Sequence, residues 1–230
     1  MPGVLVNTLA VILGSLLGLS LRRGIPEKIT RAIMTAIGLC TLYLGISSAL
    51  AGKNAIIAIV SLVLGAAFGT LLDIDGAIRR LGDRISHRLK RPEQPGKAIS
   101  EGFITASLLF CVGSMALVGS LNAGLSSDYT MLFAKSMLDF VSSIILAVSL
   151  GLGVLLSAAF VFTFQGAIVV LAQLLRPVLS VAAIAEMSCV GGILILAMGF
   201  NLLNITKIKV ADLLPALIFA PLIALLLAQF

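Results

Sequence analysis

Three ionisable side chains stand where the sequence otherwise offers hydrocarbon. Lys135 and Asp139 lie inside the apolar run Met131–Leu150, and Glu186 lies near the start of another, Ile184–Leu203. A charge inside a membrane span costs at least ~2.5 kcal/mol on insertion scales, so such residues are rare and mark pathways, relays or paired contacts. Lys135 and Asp139 are four residues apart, which puts them on one helical face within reach of each other. On a helix, Lys135, Ser136, Asp139, Ser142, Ser143 and Ser149 fall within an arc of about 140°. The opposite face is Leu, Ile, Val and Phe. This segment therefore presents one polar stripe to a protein interior and an apolar face to lipid. An acid in that position suits a cation or a coupling proton, and the lysine leaves anions open.

Neighbouring runs offer partners. Ser107, Cys111 and Ser114 form a small-residue stripe in Gly102–Leu121, Gln165 sits in the middle of Val154–Leu175, and Asn7 lies near the start of Val4–Leu21. Each also has a purely structural use: the Lys–Asp pair can lock two helices, serines permit close packing, and Gln165 can bond across helices. We take Asp139 as the first-choice binding residue, with Lys135, Ser142, Ser143, Ser114, Gln165 and Asn7 around it. Glu186 joins this set, although its place near a span end predicts snorkelling into water. No catalytic residue is expected: HExxH and GxSxG are absent, and the single His87 lies in a basic segment. A Ser/Lys dyad using Lys135 with Ser136 or Ser143 is the residual enzymatic alternative. Cys40, Cys111 and Cys189 sit in apolar runs without a CxxC pair, so neither a disulfide, a metal nor a cofactor is expected.

The elements that must hold these residues follow from composition. Of 230 residues, 60% are hydrophobic and 11% charged, with a mean hydropathy of +1.17. Soluble domains carry roughly 25% charged residues. A soluble globular domain, a disordered chain and a nucleic-acid binder are thereby excluded. At ~20 residues per span, the sequence predicts an all-α integral membrane protein of about eight helices, or six or seven spans if spans 5 and 6 form one broken helix or span 8 is re-entrant. They run Val4–Leu21, Ala32–Leu50, Ala55–Leu72, Gly102–Leu121, Met131–Leu150, Val154–Leu175, Ile184–Leu203 and Leu213–Leu227. All belong to a single polytopic domain over 1–230, with spans 1–3 in 1–72, a basic insert at 73–97 and spans 4–8 in 98–230. In the insert, Ile74, Ile78, Leu81, Ile85 and Leu89 recur at helical steps with arginines opposite. That pattern predicts an amphipathic helix on the inner membrane surface, facing anionic lipid.

Placing the loop after span 1 in the cytoplasm puts thirteen of the sixteen Lys and Arg on the inner side. They are Arg22, Arg23, Lys28 and Arg31, then Arg79, Arg80, Arg84, Arg88, Lys90, Arg91 and Lys97, then Lys207 and Lys209. The net charge of +6 is thus a topology signal, and both termini are expected outside. Asn7, Gly38 and Gly45 align with Gln165, Gly192 and Gly199, so spans 1–3 read as an inverted repeat of spans 6–8, a common transporter plan. Leu13–Gly18 and Leu64–Gly69 both carry GxxxG faces, which pack helices within a subunit or across an expected homodimer.

The run CVGSMALVGSLNAGLSSDYTMLFAKSMLDFVSS (Cys111–Ser143), continued by Gly151–Ala158 and Phe164–Gly166 and preceded by Gly3–Gly18, resembles the prokaryotic multi-pass family known as domain of unknown function 554. The resemblance covers nearly the whole chain. It implies a bacterial or archaeal cytoplasmic-membrane protein and brings no activity, substrate or catalytic residue. From the residues, the function expected is a transporter or channel for a small polar or charged solute. The alternative is a non-transporting scaffold or lipid-interacting protein. The partners expected are the lipid bilayer and a small solute or ion, with no nucleic acid.

Overall fold

The computed structural model describes residues 1–22, 27–88, 96–111, 114–175 and 180–227. Its helices are α1 (Pro2–Arg22), α2 (Glu27–Ala49), α3 (Ala55–Leu71), α4 (Ile74–Arg88), α5 (Gly96–Cys111), α6 (Ser114–Leu125), α7 (Thr130–Leu150), α8 (Leu152–Val170), the short α9 (Ala172–Leu175), α10 (Val181–Leu202) and α11 (Ala216–Leu227), with a 3-10 turn at Val210–Leu213. No strand occurs among the described residues.

Six segments are long and apolar enough to cross a membrane: α1, Arg31–Ala49, α7, α8, α10 and Val210–Leu227. Two of the eight expected spans depart from the simple picture. Span 4 is two helices, α5 and α6, whose axes from Ile99 and from Met115 differ by 58°. The break falls at Val112–Gly113, outside the described residues. Span 3 is the 17-residue α3, about 25 Å long at 1.5 Å per residue and short of a hydrocarbon core of ~30 Å. Spans 5 and 6 are separate helices. Gly151 ends α7 and opens α8 at φ 72°, a left-handed backbone that glycine adopts without a Cβ penalty.

Glycines decide which helices meet. Gly3 lies on Leu132, a Cβ at Gly14 would overlap the Phe140 carbonyl and Ser143 Oγ, and one at Gly18 would overlap the Ile144 carbonyl. The pairing advances in the same direction along both chains, so α1 and α7 run parallel. In α2 and α10 the pairing is antiparallel: Gly38 lies on Leu203, Gly45 on Leu196, Gly192 on Ala49 and Gly199 on Leu42. In the same way Gly65 and Gly69 seat α3 against Ala216 and Asp212. Both GxxxG faces are therefore used inside the subunit and supply no dimer surface. Around these contacts Val11, Leu108, Phe110, Val154, Val161 and Leu194 form one continuous core.

The basic insert forms α4, and Ile74 and Ile78 at its start pack on the core; Leu81, Ile85 and Leu89 lie outside the residues whose side chains are described. Asp212 Oδ1 accepts from the Asp75 amide at the first turn, 2.9 Å away, satisfying a donor that the helix start leaves free. Asp73 precedes it at φ 49°. The Arg80 guanidinium bonded to it at 2.8 Å holds this exposed carboxyl below the usual carboxylate range. Tracing helix ends through the antiparallel contacts brings exposed Lys28, Arg31, Arg80 and Arg84 to one end of the bundle.

Candidate solute-binding site

Helix α7 carries the polar stripe inward. Lys135, Ser136, Asp139, Ser143 and Ser149 are buried, while Met137, Leu138 and Val141 on the other side are exposed. The serines at 136 and 143 spend their hydroxyls on their own helix: Ser136 Oγ donates to the Leu132 carbonyl at 2.7 Å, and Ser143 Oγ to that of Phe140 at 2.8 Å. Such back-bonding is how a hydroxyl is satisfied inside a helix. The charged pair is left as the stripe's outward-reaching chemistry. Lys135 Nζ donates to Asp139 Oδ2 at 2.5 Å, and each residue is only 5% exposed.

Helices α1 and α8 close the cluster. Asn7 and Gln165 are both 0% exposed, and Asn7 Nδ2 donates to Gln165 Oε1 at 3.1 Å. The Asn7 side chain lies close enough to the Asp139 carboxylate to interact with it, so the Lys135–Asp139 pair and the Asn7–Gln165 bond form one polar cluster. It is incompletely satisfied: Asn7 Oδ1 and Gln165 Nε2 have no hydrogen-bond partner. An orphaned buried polar atom costs about 1–3 kcal/mol; buried serines and a threonine elsewhere in the bundle share that state, but here the two orphans are amide atoms beside a buried ion pair.

The fourth wall is α5. The Lys135 ammonium stands 5.8 Å from the Phe110 ring centroid, a favourable cation–π arrangement, and the buried Cys111 lies near enough to feel both charges. This is the last turn of α5, whose C-terminal partial negative charge favours a cation. Phe110 is the contributor that sequence reasoning missed. The only signal in the sequence was a glycine, a poor helix former, three residues further on at position 113.

Of the expected site residues, the fold brings Lys135, Asp139, Asn7 and Gln165 together. Ser143 sits one turn along α7, pressed against Gly14. Ser142 makes no bond within this cluster and lines an apolar groove between α2, α5 and α7. The Ser114 side chain lies outside the described residues. Glu186 does not snorkel. It is 3% exposed, and its Oε1 accepts from the backbone amides of Lys53 and Asn54 at 2.8 and 3.0 Å. It thus anchors the α2–α3 turn and belongs to a different helix pair from Asp139. We expect Glu186→Ala to cost about 1.5–3 kcal/mol, the range for bonds to a charged acceptor, and Glu186→Gln to cost much less. Unfolding midpoints in mild detergent check both. Among the described residues no group of His, Cys, Asp and Glu could hold a metal ion.

The groove has a volume of about 400 Å³ and walls formed by Ile33, Ala36, Ile37, Cys40, Thr41 and Leu44 of α2, Leu109 of α5 and Ser142, Ile145 and Leu146 of α7. It runs along the seam between the α1·α7 and α2·α10 pairs. A smaller apolar space borders Cys111 between α5, α8 and the segment after the 3-10 turn.

Helices of membrane-crossing length packed around a buried charged network define a multi-pass membrane protein. The chain belongs to the family described as "Protein of unknown function (DUF554)", whose profile matches residues 2–225. It is 34% identical over its full length to the "Uncharacterized membrane protein YdfK" of Bacillus subtilis (strain 168), covering 98% of that protein. It is 30% identical over 222 residues to the "Uncharacterized protein YqgA" of Escherichia coli (strain K12), covering 95% of this chain and 94% of that one. No solved structure matches it.

Proposed function

We propose that the protein is a transporter or channel for a small polar or charged solute, with a cation or proton-coupled solute favoured, and that Asp139 is its central binding group. The observation that carries this reading is the buried Lys135–Asp139–Asn7–Gln165 network, with an unpartnered donor and acceptor, set against the interrupted span formed by α5 and α6. Binding sites of secondary transporters are typically built at broken helices deep in the bundle.

An inverted repeat of spans 1–3 and 6–8 is part of this proposal. Its support is a reciprocity of contacts. Gly45 lies on Leu196 while Gly199 lies on Leu42, and Gly192 lies on Ala49 while Gly38 lies on Leu203. One constant shift along the sequence exchanges the two members of each pair, as a two-fold axis relating antiparallel α2 and α10 requires. Asn7 and Gln165, aligned by the same repeat, are bonded to each other. The proposed setting is a prokaryotic cytoplasmic membrane with α4 inside and both termini outside. Single-cysteine variants at Arg84 and Asp128 test the orientation: an impermeant maleimide added to intact cells should label the second and spare the first. The reverse pattern would remove the positive-inside argument.

Purified protein in vesicles loaded with a pH-sensitive dye tests the function. A pulse of sodium, potassium or tetramethylammonium chloride should give a protein-dependent internal pH change or, in the presence of a potential-sensitive dye, a current. Both signals should vanish in the double variant Lys135→Met with Asp139→Asn. The second reading is a non-transporting, lipid-interacting scaffold, favoured by α4 lying against the bundle with Arg80 and Arg84 exposed. A folded protein that passes none of these ions would favour it.

A further inference from the structure

The apolar groove and the charged pair belong to one stretch of α7. Ser142 and Leu146, on the groove wall, stand three and seven residues beyond Asp139. Helical geometry places them roughly 60° and 20° round from Asp139, and Ser142 roughly 4.5 Å along the axis. On α5, Leu109 lines the groove and the next residue, Phe110, stands against the Lys135 ammonium. One end of the groove therefore lies a single turn from a buried carboxylate and from an aromatic ring that already accommodates a cation. The other walls are apolar. Besides Ser142, the one hydroxyl residue in the lining is Thr41 of α2, whose Oγ1 donates to the Ile37 carbonyl at 2.8 Å. A sugar or other polyhydroxylated solute finds little to bond along these walls beyond the Ser142 hydroxyl and the Cys40 thiol, and a bare inorganic ion gains nothing from their apolar remainder. Leu44 and Ile145 are 45% and 47% exposed, so the groove opens sideways, toward the bilayer.

We infer that the groove and Asp139 together form a binding site for an amphipathic organic cation, its ammonium at Asp139 in exchange for Lys135 and its apolar body between α2 and α7. The inference rests on the reading of Asp139 as a cation site and adds the substrate class. The groove supplies burial for an apolar body. The carboxylate supplies the complementary charge, and Phe110 supplies a face for an alkylammonium head. Among the described residues no other charged group stands beside the pair: α1 presents Asn7, α8 presents Gln165, α5 presents Cys111, and the α2 wall presents Cys40. Access along a seam between two tightly packed helix pairs lets the solute enter from the membrane without opening either pair.

A chain-length series in neutral maltoside detergent tests this. The ligands are tetramethylammonium, butyltrimethylammonium and hexyltrimethylammonium, with hexanesulfonate as the anionic control, and the readout is the thermal unfolding midpoint of the full chain. In the wild type the apparent affinity should rise at least about tenfold from the methyl to the hexyl compound, since each buried methylene adds ~0.8 kcal/mol, and hexanesulfonate should have no effect. Ala36→Trp, which fills the groove from α2, should abolish the length dependence and keep weak tetramethylammonium binding. Ile145→Trp fills it from the other wall should the first variant not fold. In wild-type protein, labelling of the outward-facing Cys40 by a maleimide should slow when hexyltrimethylammonium is present, a readout that needs no variant. Equal stabilisation by tetramethyl- and hexyltrimethylammonium would overturn this inference and leave Asp139 as a small-cation site. Length dependence that persists in the Lys135→Met, Asp139→Asn double variant, or that hexanesulfonate shares, would mean that the groove takes any acyl chain and would overturn it too. Protection of Cys40 that follows protein concentration instead of ligand would assign the groove to a second copy of the chain. Stabilisation by none of the cations would overturn both this inference and the cation reading of Asp139.

Discussion

Asp139→Asn made alone will destabilise the protein by about 3–5 kcal/mol, and adding Lys135→Met will recover most of that loss. The pair is buried on both sides, with Lys135 Nζ 2.5 Å from Asp139 Oδ2. Removing the acid strands an ammonium whose remaining company is the Phe110 ring and the end of α5. Breaking a buried pair by removing one partner costs far more than replacing both by groups of similar size, because desolvation is paid for one ion without its counter-charge. Denaturant or thermal unfolding of the single and double variants in detergent measures this directly. A double variant no more stable than Asp139→Asn would mean that the pair is coupled to the rest of the network, through Asn7, more strongly than to itself.

The second large effect lies in the glycine contacts. Gly14→Leu and Gly192→Leu should each destabilise by more than about 3 kcal/mol and collapse the yield of folded protein. Overpacking ordinarily costs about 1–3 kcal/mol when side chains can shift. Here the obstacle is backbone: a Cβ at Gly14 overlaps the Phe140 carbonyl, and one at Gly192 overlaps the Ala49 amide and the Gly45 carbonyl. Relief requires separating α1 from α7, or α2 from α10, along their length. Gly166 is the internal control. A Cβ there meets nothing within 4 Å, so Gly166→Ala should be tolerated and gain up to about 1 kcal/mol from helix propensity, although it sits beside Gln165. Yield and unfolding midpoint of the three variants, compared side by side, check the ranking.

The sequence carried the polar face of α7 almost completely, because an i, i+4 ion pair and a 140° stripe are properties of one helix. The helix boundaries of α1, α7 and α10 followed from hydropathy for the same reason. Which helices face one another was only half legible. Gly38, Gly45, Gly192 and Gly199 marked close approach, but only the fold shows that Gly14 and Gly18 meet α7 and not another copy of α1. Asn7 and Gln165 were aligned as repeat equivalents without any sign that they bond to each other. Glu186 was misjudged because distance along the chain from a span end says nothing of what folds over it. The α2–α3 turn does, and its two free amides need an acceptor. Ser142 faces the groove instead of the Asn7–Gln165 bond because a position at the edge of the stripe is decided by the neighbour it meets, here α2. The bend between α5 and α6, and with it Phe110, had only Gly113 to announce it.

Cation binding by the pair is most directly measured as ligand-dependent stability. A ligand that binds only the folded state must raise the unfolding midpoint in proportion to its saturation. Wild-type protein and the Lys135→Met, Asp139→Asn double variant are titrated with sodium, potassium and tetramethylammonium chloride at constant ionic strength. Asp139 as the binding group requires that at least one cation raise the wild-type midpoint saturably while the folded double variant stays flat. A double variant that responds as the wild type does would contradict the assignment of Asp139.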